Sequence, residues 1–318
     1  MIHVLITGAN GFIGQNLCKS LSGLNIFARG AVRRIGPHIE GINELLVVGE
    51  IGPDTEWSCA LDGIDIVIHL AGKTHVIQGG KDQKKEFYTI NTYGTERLCK
   101  MAAHAGVKQF IYLSTAKVHG EISLDRPFSE KDIPAPSDDY AMSKWQAEQV
   151  VNATAAGSNM KAVILRPPMV YGPKMKGNLL RLLRLIDAGI PLPFSSINNK
   201  RSLLNVANLI DILLSLIRYP IQESATFLVS DGIDLSVGEI IRLLAKALGK
   251  KPRLIPCPVN IIKVVACLLG KRDDAERIVN PLMIDSSLIQ KHLKWMPPHS
   301  IWSGFKDVAN WYKTQKNL

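Results

Sequence analysis

The chain has 318 residues, 46% hydrophobic and 21% charged, which is enough apolar side chain for a large core in one or two domains and excludes a disordered composition. Its formal charge of +10 fits a basic solvated surface or phosphate-bearing small ligands. Aromatics are only 6%, and with the basic residues spread out and no helix-turn-helix, zinc-finger or stacking pattern, no nucleic-acid partner is expected.

In chain order, the start "MIHVLITGANGFIG" has no basic leader and opens with a β-branched run at 2–7. A helix follows, with Phe12, Ile13, Leu17 and Leu21 on one face. Strands are predicted at 26–32, 44–48 and 65–71, a long helix over 82–105, a strand at 110–115, a helix over 138–156 and a strand at 161–166. Near-continuous apolar strands alternating with helices predict an α/β fold, a doubly wound parallel sheet covered on both faces. After residue 173 helices dominate, over 178–189, 206–218, 236–248, 259–269 and 303–315, with one strand at 226–231 able to rejoin the sheet. The expected organisation is a dinucleotide-binding domain over 1–172, rejoined by 203–231, and a smaller, mainly helical substrate region over 173–202 and 232–318.

Two classes of site are disfavoured. Cys18, Cys59, Cys99, Cys257 and Cys267 are scattered with no CxxC spacing, so neither a disulfide framework nor a metal site is expected, and a reducing, cytoplasmic setting is. The best apolar run, 258–270, is too short to span a bilayer and contains Lys263, so no membrane span is expected.

"TGANGFIG" sets Gly8, Gly11 and Gly14 between the first strand and the first helix. Glycine there lets the backbone turn sharply and approach a ligand, and the helix N-terminus offers N–H groups and a positive dipole end to a pyrophosphate. The G-x-x-G-x-x-G spacing is one residue wider at the front than the usual dinucleotide fingerprint. The second strand ends in "GAVRRIG", with Arg33 and Arg34 where an acid would hold the adenosine ribose. An arginine there can accept a ribose 2′-phosphate, so NADP(H) is favoured over NAD(H). The alternative is a pair of solvated surface arginines.

Tyr140 and Lys144 in "YAMSK" lie at i and i+4, on one helical face. Tyr312 and Lys316 repeat the spacing at the chain end, with no strand before them. Only the first pair follows a glycine loop and a strand. A phenol with a pKa of about 10 must fall by roughly 3 units, about 4 kcal/mol, to carry protons near neutrality, and the Lys144 ammonium is expected to favour the phenolate.

Read together, these segments resemble the extended short-chain dehydrogenases/reductases of the NAD-dependent epimerase/dehydratase type that act on nucleotide sugars. The resemblance runs nearly end to end. It rests on "TGANGFIG", "GEI" (49–51), "DIVIHLAG" (65–72), "INTYGT" (90–95), "YLSTAKVHG" (112–120), "YAMSK", "RPPMVYGP" (166–173), "KRSLLNVANLID" (200–211) and "DSSLIQKHLKWMPPHSIWSGF" (285–305). It implies a Rossmann-type fold and Thr115, Tyr140 and Lys144 as catalytic residues, Lys144 also holding the nicotinamide ribose. It implies cofactor contacts from Gly8, Asn10, Gly11, Phe12, Ile13, Gly14, Arg33, Arg34, Glu50, Ile51, Leu70, Ala71, Gly72, Asn91, Tyr140, Lys144 and Pro167. Substrate contacts are implied for Thr115, Lys117, Asn178, Arg201 and Arg277, with Arg272 competing for the place of Arg277. A UDP-sugar substrate and a homodimer are expected. Asn91 and His69 also read as buried structural hydrogen-bonders.

Four departures narrow the reaction. Ala116 and Lys117 stand where family dehydratases carry Asp-Glu after the catalytic threonine, which argues against dehydration. His119 replaces the tyrosine familiar from epimerases, and Met169 an asparagine. The expectation is a 4-keto-sugar reductase acting at C4 of a UDP-sugar in bacterial surface-polysaccharide synthesis. The alternative is a UDP-hexose 4-epimerase, and a third reading is a non-catalytic NADP-sensing protein.

Overall fold

The computed structural model describes residues 1–74, 82–268, 270 and 272–316. Its strands are β1 (Ile2–Thr7), β2 (Ile26–Val32), β3 (Glu44–Val47), β4 (Ile66–His69), β5 (Gln109–Leu113), β6 (Lys161–Arg166), β7 (Met169–Tyr171), β8 (Arg201–Asn205), β9 (Ala225–Leu228) and β10 (Asp234–Leu235). Chain compactness divides them between two units. The first takes residues 1–120, 130–167 and 209–228, the second 121–129, 168–208 and 229–318.

The first unit is a seven-stranded sheet in the order β3-β2-β1-β4-β5-β6-β9, with every pair parallel. All of β4 and β5 is buried, which is why those strands read as unbroken apolar runs. On one face Trp57, Leu98, Val151 and Met160 pack against Leu5, Val67, Phe110, Tyr112 and Ile164 of the strands. Strand order reverses between β1 and β4, and Thr7 pairs with His69 at their C-terminal ends. The loops after these two strands therefore emerge side by side, at the point where open α/β sheets receive ligands.

The second unit is built on a smaller sheet, β10-β8-β7. Helices Asn178–Asp187, Val237–Leu248 and Ile301–Lys316 pack on one another. Helix Val237–Leu248 starts at Ser236, whose hydroxyl accepts from Glu239 N while the Glu239 carboxylate bonds the Ser236 N–H, and stops at Gly249 with φ +75°.

Most predicted elements sit where the sequence pattern puts them, but the helices Ser58–Leu61, Arg272–Val279 and Ser287–Leu293 were not predicted, and other elements differ. β7, β8 and β10 are two to five residues long, too short for an alternation to register. The helix predicted over 82–105 is Gln83–Phe87, a π-helical segment Tyr88–Tyr93 and then Gly94–His104. The strand at 226–231 ends at Leu228. Residue 269, the predicted end of the 259–269 helix, lies outside the described residues.

Candidate active site

The glycine loop is tight because its backbone folds against itself. Gly8 has φ +68°, and a Cβ there would lie 2.9 Å from the Ala71 nitrogen. A Cβ on Gly14 would lie 2.2 Å from the Gly8 carbonyl oxygen. Only hydrogen fits at either place. Gly11 precedes the helix Phe12–Leu21 with no side-chain cap and no acid in the first turn. Its first-turn N–H groups thus suit a phosphate, and the cradle fits the dinucleotide that the sequence pattern implies. Asn10 and Gly11 are exposed, Phe12 and Ile13 half-buried. Across from them runs the loop Leu70–Gly72 after β4, with Leu70 and Ala71 half-buried and Gly72 exposed.

Asn91 sits in the π-helical segment, a conformation that recurs at functional sites. It is buried, with its Oδ1 accepting from Lys73 N at 2.7 Å and its Nδ2 donating to Lys73 O and Ser143 Oγ, both at 3.0 Å. Thr92 Oγ1 donates to Ser143 O at 2.9 Å. Adjacent residues of one π segment thereby tie the loop after β4 to the helix Asp139–Ala156. Asn91 was expected among the cofactor contacts; its side-chain bonds are spent on this tie.

Thr115, Tyr140 and Lys144 come together in the first unit. Thr115 follows β5, is buried, and its hydroxyl bonds the Tyr140 side chain. Asp138 caps the Tyr140 helix by accepting from Ala141 N at 2.7 Å. Lys144 is buried, its Nζ 4.1 Å from the Tyr112 ring centre, and a Cβ on Gly72 would lie 3.8 Å from that Nζ. One expectation is reversed. Burial first, and then the Asp138 charge, push the Tyr140 phenol up to about 12, with the Thr115 bond acting the other way. Burial lowers Lys144 to about 7, opposed by the Glu148 carboxylate. Desolvation outweighs the attraction that the Tyr–Lys spacing promised, because it penalises both charges at once.

Beneath the pair lies a cluster the sequence reading missed. Glu148 is fully buried and accepts from Arg166 Nε at 3.1 Å and Nη2 at 2.5 Å. Ser114 Oγ also donates to it. Arg166 Nη1 donates to His119 Nε2 at 2.8 Å, which assigns the proton of a neutral imidazole to Nδ1. Burial and Arg166 hold His119 down to about 4. The residue in the place of the epimerase tyrosine is thus a buried acceptor for arginine. The available signal was Glu148 itself, an acid at i+4 from Lys144 on a face that Tyr140 and Val151 mark as inward.

The remaining candidates separate by exposure. Arg33 and Arg34 are exposed, and Arg33 pairs with exposed Glu50 at 3.3 Å. Ile51 packs against Gly94. Lys117 pairs with Asp138 at 2.5 Å. The Pro167 carbonyl accepts from Ala116 N at 2.8 Å. In the second unit Asn178 is exposed at a helix start. Arg201 Nη1 donates to the carbonyls of Arg277 and Asn280 at 2.7 and 2.8 Å. Arg277 lies 3.6 Å from Glu121, whereas Arg272 is exposed and pairs with Glu276. Tyr312 and Lys316 both bind Asp187, at 3.2 and 2.7 Å. Among the described residues no cluster of His, Cys, Asp and Glu could hold a metal, and no helix is long and apolar enough to cross a membrane.

Comparison with known proteins gives the family. The family model for the NAD dependent epimerase/dehydratase family matches residues 4–229. A Vibrio cholerae UDP-glucose 4-epimerase is 40% identical over 99% of this chain and 96% of its own. An Escherichia coli O157:H7 4-epimerase of N-acetyl-alpha-D-glucosaminyl-diphospho-ditrans,octacis-undecaprenol is 25% identical, covering 82% of this chain and 77% of its own. Among solved structures, MoeE5 in complex with UDP-glucose and NAD superposes with a TM-score of 0.81 at 24% identity, over 99% of both chains. That likeness is one of fold.

Proposed function

Because the chain belongs to the NAD dependent epimerase/dehydratase family, we propose that it is a UDP-hexose 4-epimerase working with NAD(H). The observation that carries this reading is the constellation of half-buried Tyr140 with buried Thr115 and Lys144, beside a cradle suited to a dinucleotide. The Vibrio cholerae relative supports the choice of reaction.

Epimerisation at C4 needs a proton removed from the C4 hydroxyl and later returned. Tyr140 is the proton carrier, with Thr115 sharing the hydrogen bond to the sugar oxygen. Lys144, whose ammonium burial brings down to about 7, stabilises the phenolate when charged. The nicotinamide cofactor supplies the hydride acceptor and, when oxidised, a positive charge that would bring the Tyr140 phenol down from about 12. Asn91, Thr92 and Ser143 hold the loop after β4 against the Tyr140 helix. With Ala116 and Lys117 in place of an acid pair, and Lys117 bound to Asp138, dehydration lacks the acid pair that the family's dehydratases carry at these positions.

NADP(H) was expected from Arg33 and Arg34. The pairing of Arg33 with Glu50 places a carboxylate against the cation meant for a 2′-phosphate, and this supports NAD(H). A 4-keto-sugar reductase is the second reading, favoured by His119 and Met169 at positions where epimerases carry other residues. UDP-glucose and UDP-N-acetylglucosamine incubated with the protein and NAD should interconvert with their C4 epimers, with no net cofactor change. Stoichiometric loss of NADH or NADPH on a UDP-4-keto sugar, without interconversion, would replace epimerase by reductase. Tyr140→Phe should cost roughly 10²–10⁴-fold in turnover while leaving the fold intact; unchanged turnover would remove the catalytic assignment.

A further inference from the structure

A row of side chains crosses the centre of the first sheet. Thr7 of β1 pairs with His69 of β4, and His69 with Tyr112 of β5. All three are buried. The His69 and Tyr112 rings stack, with centroids 5.7 Å apart and planes 22° from parallel. His69 is fixed at both ring nitrogens, Nδ1 lying 2.7 Å from Thr7 Oγ1 and Nε2 2.9 Å from Thr95 Oγ1. Thr7 Oγ1 in turn accepts from Ala71 N at 3.2 Å, in the loop after β4. The Tyr112 ring is therefore braced by the sheet.

Lys144 comes to this ring from the helix Asp139–Ala156, with its Nζ 4.1 Å from the ring centre. A cation within about 6 Å of an aromatic centroid is attracted by the negative face of the ring, and more strongly where water is excluded. Water is excluded here, since Lys144 is 5% exposed and Tyr112 0%. The other groups around the ammonium are occupied or neutral. Glu148, one turn on, favours the charge, but its oxygens already accept from Arg166 and Ser114. Tyr140, one turn back, is a neutral phenol, and burial keeps His69 neutral too, so it does not repel the lysine. The π-helical segment contributes uncharged Asn91 and Thr92. A Cβ on Gly72 would lie 3.8 Å from Nζ, so the ammonium also borders the loop after β4. An aliphatic residue in place of Tyr112 would fill the core and offer this cation nothing.

We propose that Tyr112 is a positioning residue for proton transfer: the face of its ring holds the Lys144 ammonium charged and in place, one helical turn from Tyr140. The chemical role rests on the epimerase reading, whereas the contact itself does not.

The test is NMR of the full chain with lysine labelled at the ε-carbon, the Lys144 signal being identified by its absence from Lys144→Met. In the parent its ε-protons should lie upfield of the ordinary lysine position, because the ring current shields protons over the face. Tyr112→Phe keeps the ring and should keep this shift, and Tyr112→Leu should abolish it. The Lys144 titration midpoint should fall by roughly half a unit or more in Tyr112→Leu and by less than about 0.3 unit in Tyr112→Phe. Loss of packing alone would destabilise the protein without this rescue by phenylalanine. With NAD and UDP-glucose, the alkaline limb of the turnover profile should move to lower pH in Tyr112→Leu only. An ordinary ε-proton position in the parent would overturn the proposal, and it decides the matter even if Tyr112→Leu does not fold. So would equal midpoints in the parent and Tyr112→Leu, or a turnover limb that stays put while the midpoint moves. A parent that does not epimerise would sink the reaction and leave the NMR to judge the contact.

Discussion

Replacing Arg166 by Met should be among the most damaging single changes in the first unit. It removes the two Arg166 nitrogens that donate to Glu148, which has no exposed surface, and leaves the Ser114 hydroxyl donating to it. Breaking a buried, hydrogen-bonded ion pair from one side costs about 3–5 kcal/mol, because the remaining charge stays desolvated. At a urea dependence of about 2–3 kcal/mol per M, the unfolding midpoint should fall by roughly 1–2 M. Removing both charges tells the pair's worth apart from this penalty. Glu148→Met with Arg166→Met restores apolar filling at both places and should recover most of the loss, to within about 2 kcal/mol of the parent. The assay is urea unfolding followed by fluorescence and circular dichroism on parent, both single variants and the double, at one pH and without cofactor. Additive single effects, or an Arg166→Met cost below about 1 kcal/mol, would refute the view that this pair is electrostatically isolated from solvent.

Three further outcomes follow from the geometry. Gly14→Ala sets a Cβ 2.2 Å from the Gly8 carbonyl and should weaken NAD binding tenfold or more, about 1.4 kcal/mol by titration calorimetry; the same change at Gly23, where nothing lies within 4 Å, should leave NAD binding unaltered. His69 is held at about 3 by burial between Thr7 and Thr95. Its folded value lies below its unfolded one, so the unfolded chain takes up a proton first as pH falls. Stability should therefore drop by about 1.4 kcal/mol per unit between roughly pH 6.5 and 3 from this group, a slope that His69→Gln lacks in urea unfolding across that range. Glu50→Ala releases Arg33 and should shift the NADP-to-NAD affinity ratio upward by roughly fivefold, on the order of 1 kcal/mol for one exposed charge; an unmoved ratio would mean Arg33 does not face the ribose.

The parallel sheet was legible because its central strands are buried on both faces and so spell themselves as uninterrupted apolar runs. The bounds of β1, β2 and β6 coincide with those runs. The glycine loop was legible for a related reason: it is a local steric demand written in one residue type. The Thr115–Tyr140–Lys144 grouping was readable through resemblance, but its electrostatics were not. Spacing reports that a lysine can reach a tyrosine, whereas only the depth of both in the protein says that desolvation wins. The Glu148–Arg166 pair escaped for the opposite reason to the strands. A charged residue is read as exposed, and the partner that reverses this lies 18 residues away. Asn91 was placed on its helix correctly, yet its partners at Lys73 and Ser143 lie 18 and 52 residues distant.

The π-helical segment Tyr88–Tyr93 makes the number of residues there as important as their identity. One surplus residue in a helix rotates everything beyond it by about 100° relative to everything before it. Deleting a single residue would restore an ordinary helix and still leave the glycine loop, the threonine strand and the Tyr–Lys pair intact in the sequence. It would also turn Asn91 and Thr92 together by about 100° relative to the helix on the other side of the gap, carrying both away from Ser143. A relative one residue shorter at this point would therefore match every motif and still lack the clamp between the loop after β4 and the Tyr140 helix. Here a gap in an alignment is a rotation in space.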